Sequence, residues 1–191
     1  MHESIQVKND VLPWQEFQNF AYKIMISPIY YPNDACTFAE ETDGSIKDFG
    51  LKEYSNVKIH ESIFSTLLYQ TESNGTYVSD IFQEYTQTVK KLLVALKCKK
   101  LFQARVSCTT GQAENYVSEF HTDFAHDPRV TKTAILYLNT NNGGTKFETE
   151  DFVQSAANRL VTFPEKLKHA AVWCTDKKLR FVLNINYKEH E

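Results

Sequence analysis

Glu119-Phe120-His121-Thr122-Asp123 begins a segment, continuing to Tyr187, in which the candidate functional residues and most predicted strands lie. Successive side chains of an extended strand point to opposite faces, so His121 and Asp123 would project together. An imidazole and a carboxylate on one face are candidate metal ligands. A His-x-Asp tripeptide is also common among the polar residues of solvated strands, so the residues that follow decide between these two interpretations.

A second histidine, His169, follows the apolar run 160–163, Pro164 and a charged segment. Apolar runs on both sides of that segment predict two strands joined by a turn, with His169 at the start of the second strand. Two histidines and one carboxylate form a facial triad with open positions, the arrangement of non-haem Fe(II) oxygenases. A structural zinc site would use four protein ligands, and no two cysteines have Cys-x-x-Cys spacing. We therefore predict that His121, Asp123 and His169 bind Fe(II).

A candidate anion-binding residue, Arg180, follows the second of these strands. The polar cluster at 175–178 predicts a hairpin loop in which Trp173 lies opposite Arg180. Arg180 would then share a face with His169, about 13 Å away at about 3.3 Å per residue. That separation suits a five-carbon diacid with one end on the metal and the other held by the guanidinium. The alternative is a cross-strand ion pair, since most arginines are surface residues.

From Leu101 onward, short apolar runs separated by turn residues predict a series of strands. The predicted strands are 102–108, 116–124, 133–139, 145–148, 159–163, 170–174 and 179–187. Many short strands at close spacing are typical of a jelly roll or double-stranded β-helix. We predict a mainly β fold with this core and with N-terminal helices packed on one sheet. Gly143-Gly144 is predicted to form a connecting turn with positive φ.

The N-terminal part predicts fewer and less regular elements. We expect a first strand within 1–12, a helix over 13–23, a proline-broken edge strand over 25–32, a helix over 60–72 and a longer apolar-striped helix over 79–97. The acidic segment 33–57 is either a cover for the mouth of the site or an uninvolved surface loop. The sequence His126-Asp127-Pro128-Arg129 is interpreted as a loop and not as metal ligands, because Pro128 ends the strand.

Length and composition fit one globular domain. The chain has 191 residues, of which 42% are hydrophobic and 13% aromatic, enough to bury a core. We predict a single domain over 1–191, with helical support and edge strands over about 1–100 and a catalytic β-helix core over about 101–187.

Charge and targeting signals limit the partners. The net charge of -3 argues against a nucleic-acid partner, and the lysine run at 90–100 is favoured as a solvated helix face over a contact with an acidic partner. The N-terminus lacks a signal-peptide core, and no run of about 18 apolar residues could span a membrane. Scattered cysteines fit a reducing compartment. We predict a cytoplasmic protein without a membrane partner, and the oligomeric state stays open.

The order of these motifs resembles the 2-oxoglutarate and Fe(II)-dependent dioxygenases, particularly the prolyl 4-hydroxylase-like branch. The resemblance covers about residues 100–187 and rests on an ordered combination of short pieces, none of which is specific alone. These are His121-x-Asp123, Tyr137-Leu138-Asn139, Gly143-Gly144-Thr145-x-Phe147, Phe163-Pro164, His169 and Arg180.

The resemblance implies roles for individual residues. His121, Asp123 and His169 would bind iron, and Arg180 would bind the far carboxylate of 2-oxoglutarate. Tyr137 either helps to hold the same carboxylate or is a half-buried strand tyrosine. The upstream tyrosine that touches the cofactor in some prolyl hydroxylases has no counterpart here, where the nearest segment is Cys108-Thr109-Thr110-Gly111.

The resemblance also implies a reaction. It is the hydroxylation of an unactivated carbon-hydrogen bond with 2-oxoglutarate and O2 as co-substrates and with succinate and CO2 as co-products. A protein or peptide side chain, prolyl first, is the favoured substrate; a free amino acid or small metabolite comes second and a nucleobase third. The alternative from another class is a non-catalytic β-helix module that binds a metal or a carboxylate.

Overall fold

The computed structural model describes residues 1–28, 63–72, 75–123 and 127–190. The elements of this part of the chain are β1 (Gln6–Lys8), α1 (Trp14–Ile26), β2 (Ile63–Glu72), β3 (Gly75–Val78), α2 (Asp80–Glu84), α3 (Thr86–Ala95), β4 (Cys98–Thr110), β5 (Lys132–Tyr137), β6 (Gly144–Phe147), β7 (Phe152–Gln154), β8 (Leu160–Pro164), β9 (His169–Val172) and β10 (Leu179–Glu189). None of its helices is long and apolar enough to cross a membrane.

The strands form two antiparallel sheets. A seven-stranded sheet has the order β1-β8-β5-β10-β4-β2-β3, and a three-stranded sheet has the order β7-β6-β9. The sheets face each other, because the ring of Phe147 in β6 lies 4.9 Å from that of Phe163 in β8. This arrangement confirms the predicted mainly β jelly-roll class.

Two apolar clusters lie on opposite faces of the large sheet. The inner cluster between the sheets contains Ile5, Ile135, Tyr137, Phe147, Val153, Val161, Phe163 and Val182. The outer cluster joins α1 and α3 to the sheet, and its central members are Phe17, Phe20, Ile24, Val89, Leu92, Ala104, Val106, Cys108, Leu136 and Leu183. The predicted packing of N-terminal helices on one sheet is thereby confirmed.

Strand alternation fixes which β4 residues face the interior. Ala104 and Val106 belong to the outer cluster against the helices. Side chains alternate across a strand, so Arg105, Ser107 and Thr109 point the other way, into the space between the sheets. The inner face of β4 is therefore polar, unlike its outer face.

The predicted helix over 60–72 is wrong for the described residues 63–72, which form β2. Its apolar positions Phe64 and Leu68 are four residues apart, and both contribute to the outer cluster. A four-residue step keeps one face in a helix and also in a strand, so this spacing does not separate the two structures. The segment is a strand because it pairs with β4 along its length, with a bulge near Leu67.

Other elements differ from the prediction in their limits. The helix predicted over 79–97 is two helices that break at Tyr85, whose φ of -100° and ψ of 28° are not helical. Met25 and Ile26 belong to α1 and not to an edge strand. The predicted strand over 116–124 is reduced to isolated bridges at Val117 and His121, and β3 and β7 were not predicted. Segment 33–57 and His126 lie outside the described residues.

The predicted hairpin around 175–178 is wrong. β9 pairs with β6 in the small sheet, whereas β10 pairs with β4 and β5 in the large sheet. The partner of Arg180 across the strands is therefore Thr109, not Trp173. The connecting loop is held by side chains of another loop instead of by a ladder: Asn142 Nδ2 donates to Thr175 Oγ1 at 2.7 Å.

Gly143 and Gly144 do not have the predicted positive φ. Gly144 lies within β6, where it pairs with both neighbouring strands of the small sheet. A Cβ on Gly144 would lie 2.3 Å from the Val153 carbonyl oxygen, and one on Gly143 would lie 2.5 Å from that of Val172. Both glycines are thus required by close backbone approach and not by a turn conformation.

Candidate metal centre

The two candidate histidines are joined through their backbones. His121 N donates to His169 O, and His169 N donates to His121 O, each at 3.0 Å. This bridge attaches the His121 segment to the start of β9. The imidazole rings lie 4.7 Å apart between centroids, so the structure brings together two residues that are far apart in sequence.

Asp123 completes the cluster. Its Oδ1 lies 3.7 Å from His121 Nε2 and 3.9 Å from His169 Nε2. The candidate ligand atoms of all three residues lie within 4.8 Å of one another. Two imidazole nitrogens and one carboxylate oxygen are the donor set that suits Fe(II) with open coordination positions, so the residues fit the predicted metal.

His121 occupies the solvent side of the cluster, with a side chain that is 51% exposed. Its Nδ1 lies 3.1 Å from the Glu119 carbonyl oxygen. A carbonyl oxygen can only accept, so Nδ1 donates this bond, and Nε2 is the ring nitrogen that faces Asp123. Nε2 is therefore the candidate ligand atom of His121.

His169 lies on the buried side of the cluster, and its ring packs edge-on against Phe163 at 4.8 Å. Burial is the main cause that lowers the pKa of His169; the Asp123 carboxylate opposes this effect and His121 adds to it. The imidazole is therefore neutral at neutral pH, the form in which histidine binds a metal.

Asn186 is a site residue that the sequence reasoning missed. It is buried on β10, and its Nδ2 donates to Asp123 Oδ2 at 3.2 Å and to Thr133 Oγ1 at 3.1 Å. Oδ2 is thereby occupied, and Oδ1 is left to face the imidazoles. The signal that could have revealed Asn186 is its place between the apolar residues Ile185 and Tyr187 of a strand, because a buried polar side chain must have a partner.

Arg180 is buried on β10 with neutral partners. Its Nε donates to Ser155 Oγ at 3.1 Å, one terminal nitrogen donates to the Gly144 carbonyl oxygen at 2.9 Å, and the guanidinium lies over the Tyr137 ring at 5.7 Å. No carboxylate of the described chain forms an ion pair with it. Within that part of the chain, Arg180 therefore does not form the cross-strand ion pair considered as the alternative. Burial is the main cause that lowers the pKa of Arg180, although a guanidinium stays charged in proteins.

Thr109, directly opposite Arg180 in the sheet, is the second residue that was missed. It is buried, and its Oγ1 has no hydrogen-bond partner among the described residues. A buried hydroxyl without a partner is costly. Its position beside the Arg180 guanidinium, which has no acidic partner in the described chain, puts two donor groups together that suit an anionic oxygen ligand.

Tyr137 is fully buried, not half-buried. Its hydroxyl donates to the Val153 carbonyl oxygen at 3.1 Å and lies 2.8 Å from Thr145 Oγ1. Burial raises the pKa of Tyr137, so the phenol stays protonated. The hydroxyl is engaged within the fold, and the ring supports the Arg180 guanidinium; a contact with a cofactor stays a prediction.

Comparison with known proteins finds likeness at the level of structure. No protein-family model and no curated protein sequence matches the chain. A Pseudomonas putida prolyl-4-hydroxylase is similar to it with a TM-score of 0.60 and 12% identity, over 100% of this chain and 95% of that one. A Burkholderia pseudomallei oxidoreductase of the 2OG-Fe(II) oxygenase family gives 0.64 and 8%, over 99% and 86%.

A third structure extends this likeness to a peptide complex. The Trichoplax adhaerens prolyl hydroxylase, bound to a peptide fragment of the hypoxia inducible factor oxygen degradation domain, gives a TM-score of 0.58 and 13% identity, over 98% of this chain and 84% of that one. The chain therefore has the fold of the 2-oxoglutarate and Fe(II) oxygenases, with prolyl hydroxylases among its structural neighbours.

Proposed function

We propose that this protein is an Fe(II)- and 2-oxoglutarate-dependent dioxygenase that hydroxylates an unactivated carbon-hydrogen bond, most favourably of a prolyl or other side chain in a protein or peptide. One observation carries the proposal. An open three-ligand cluster and a buried arginine without an acidic partner in the described chain share the space between the same two sheets.

The metal would be held by Nε2 of His121, Nε2 of His169 and Oδ1 of Asp123. When bound, Fe(II) with 2-oxoglutarate supplies the oxidation of the substrate by O2, with decarboxylation of the co-substrate to succinate and CO2. The protein's own part is to keep the buried His169 imidazole neutral, to orient both imidazoles and to hold the carboxylate in place through Asn186.

The far carboxylate of 2-oxoglutarate would be bound by Arg180. Five N–H donors belong to a guanidinium, and the hydrogen bonds to Ser155 and Gly144 leave donors for a ligand. The Thr109 hydroxyl lies beside it and can add a further bond. A carboxylate would supply the countercharge that this buried cation lacks, which makes the interaction strong.

The substrate would approach from the solvent side of the cluster. His121 is exposed there, as is the neighbouring Phe120, whereas His169 and Arg180 are buried behind it. A co-substrate bound by Arg180 would then lie deepest, and the hydroxylated group would lie nearest to solvent. A side chain projecting from a peptide can reach such a position, and the fold similarity to a peptide-bound prolyl hydroxylase supports a peptide substrate.

The experiment that tests this function is the measurement of succinate release. Wild-type protein is incubated with Fe(II), 2-oxoglutarate and O2, with and without a pool of proline-containing peptides and free amino acids. We expect succinate from wild type, none from His121→Ala, and normal release from the surface control Arg129→Met. If metal-bound wild type releases no succinate under any of these conditions, the proposal fails and a non-catalytic binding module takes its place.

A further inference from the structure

A second cation, Arg105, faces the interior of the protein. It lies on β4 between Ala104 and Val106, both of which pack on the outer side of the sheet against the helices. Alternation therefore directs Arg105 toward the space between the sheets. The residue is half-buried, and its Nε is fully buried.

Arg105 differs from the other arginines of the described chain in having no acceptor for its guanidinium. Arg129 pairs with Asp127, Arg159 donates to Asn9 and to the Gln154 carbonyl oxygen, and Arg180 donates to Ser155 and Gly144. Arg105 forms no hydrogen bond or ion pair through its side chain with the described residues, and its Nε lacks any partner there. A buried Nε without an acceptor is unfavourable within the described part of the fold, and this donor is free for a ligand.

The strand register places Arg105 on the metal side of the interior. Its partner across the strands is Asn184 of β10, and Asn184 stands one same-face step, about 7 Å, from Asn186. Asn186 in turn donates to the metal-ligand candidate Asp123. The long side chain of Arg105 therefore lies in the region next to the three candidate metal ligands.

The same register separates Arg105 from the co-substrate pocket. Thr109, which marks the Arg180 end, lies four residues along β4, or about 13 Å at about 3.3 Å per residue. The two places are far enough apart to hold two separate carboxylates. Arg105 is thus available to a second anionic group, distinct from the far carboxylate of 2-oxoglutarate.

The surroundings of Arg105 select a singly charged oxyanion. Ser107 and Asn184 are neutral and bonded to each other, with Asn184 Nδ2 donating to Ser107 Oγ at 2.9 Å. A single guanidinium balances one negative charge, and its planar fork matches the two oxygens of a carboxylate. A phosphate dianion would call for more positive charge than this position offers.

We propose that Arg105 binds a carboxylate of the primary substrate, so that the hydroxylated molecule is an acid: a peptide with an aspartate or glutamate near its target residue, or a free amino acid. This inference rests on the proposed function and specifies its substrate class. Arg105 sets specificity by holding the acid group while the target carbon lies near the metal cluster.

Binding of matched probes tests the assignment. Anaerobic Fe(II) protein saturated with 2-oxoglutarate is titrated by calorimetry with free amino acids and their amides, and with proline-containing peptides carrying Asp or Glu and their Asn or Gln counterparts. We expect wild type to bind at least one acid about 30-fold or more tightly than its amide, and Arg105→Met to lose that preference. Arg105→Lys should keep part of it.

Two results would overturn the assignment. One is that no acid in the panel binds wild type better than its amide, although 2-oxoglutarate binds normally. The other is that Arg105→Met lowers the affinity for 2-oxoglutarate as much as Arg180→Met does, which would mean that Arg105 binds the co-substrate. If instead the proposed function is wrong, the Fe(II) protein will not bind 2-oxoglutarate, and this is seen before any probe is added.

Thermal unfolding adds a readout that does not depend on the choice of probes. Because Arg105 has no acceptor among the described residues, we expect the ligand-free Arg105→Met variant to unfold at the wild-type temperature or higher. A structural arginine would behave in the opposite way, and a lower unfolding temperature for Arg105→Met would contradict a role in ligand binding.

Discussion

Asp123 uses its two carboxylate oxygens for different purposes. Oδ1 faces both imidazoles, and Oδ2 accepts a hydrogen bond from Asn186. The bond fixes the carboxylate rotamer, which would otherwise vary in a residue that lies next to the exposed His121. A metal bound at this site would therefore be influenced by Asn186 through Asp123 and not by direct contact.

Replacement of Asn186 by leucine should weaken metal binding. The leucine has similar volume but leaves Asp123 Oδ2 without its donor, so we expect the affinity for Fe(II) to fall about 10- to 100-fold. Anaerobic competition with a metal indicator measures the affinity. Thr133→Val removes the other bond of Asn186 and keeps the one to Asp123, so it should bind metal nearly as wild type does. Equal loss in both variants would contradict the role assigned to Asn186.

Replacement of Arg180 by methionine should weaken 2-oxoglutarate binding. Loss of a buried charge-assisted pair costs about 2–5 kcal/mol, so the Kd should rise about 30-fold or more. Calorimetric titration of the anaerobic Fe(II) protein measures it. Arg129→Met is the matched control, because Arg129 is exposed and pairs with Asp127. An unchanged Kd in Arg180→Met would remove Arg180 from the co-substrate pocket.

The residues that sequence reasoning could find were those defined by local rules. The two-residue step from His121 to Asp123 predicts a shared face in any extended segment, and the turn after Pro164 predicts the position of His169. Asn186, Thr109 and the inward direction of Arg105 depend on which strands pair and in what register. That register comes from packing between distant segments, which no short pattern contains.

At the scale of elements, β6 illustrates how closely the small sheet is assembled. Gly144 lies between β7 and β9, where an added Cβ would meet the Val153 carbonyl oxygen at 2.3 Å and the Phe152 ring at 2.6 Å. Its own carbonyl oxygen accepts the hydrogen bond from Arg180. A displacement of β6 would therefore disturb both the sheet and the position of Arg180, the proposed co-substrate ligand.

Gly144→Ala should destabilise the protein by about 3 kcal/mol, since backbone atoms must move to admit the methyl group. Gly75→Ala is the matched control, because a Cβ there meets nothing within 4 Å, and it should change stability little. Urea unfolding of both variants measures the difference. Similar stability of the two variants would show that the strands of the small sheet can move apart to admit a methyl group at little cost, and would contradict this prediction.

Errors in predicting elements had physical causes. β2 has the four-residue apolar spacing that a helix also shows, and only pairing with β4 decides between them. The connection from β9 to β10 is as short as a hairpin, yet it crosses from one sheet to the other. Short apolar runs predict that strands exist, but their partners depend on the whole sheet.

At the scale of the molecule, β10 links the parts of the site. It pairs with β4 and β5 in the middle of the large sheet, and it carries Arg180, Asn184 and Asn186 on its inner face. The small sheet supplies His169 and the Arg180 acceptor Gly144. A ligand that joins the metal cluster to Arg180 would therefore tie the two sheets together.

Metal and co-substrate should stabilise the whole fold. At concentrations about 100-fold above the Kd, binding adds about 2.7 kcal/mol, which raises the unfolding temperature of a protein of this size by about 5–10 °C. Differential scanning fluorimetry with Fe(II) and 2-oxoglutarate under argon measures the shift. A chelator should reverse it and His121→Ala should lack it; an equal shift in His121→Ala would place the metal elsewhere.

An anaerobic titration of the apoprotein with Fe(II) and 2-oxoglutarate, followed by visible absorption, decides whether this protein is an oxygenase of the proposed kind. We predict a weak charge-transfer band that requires both additions, because a 2-oxo acid must chelate the iron to produce it. The band should be absent in His121→Ala and should require much more 2-oxoglutarate in Arg180→Met. If wild type binds Fe(II) and shows no band at saturating 2-oxoglutarate, the oxygenase assignment is contradicted.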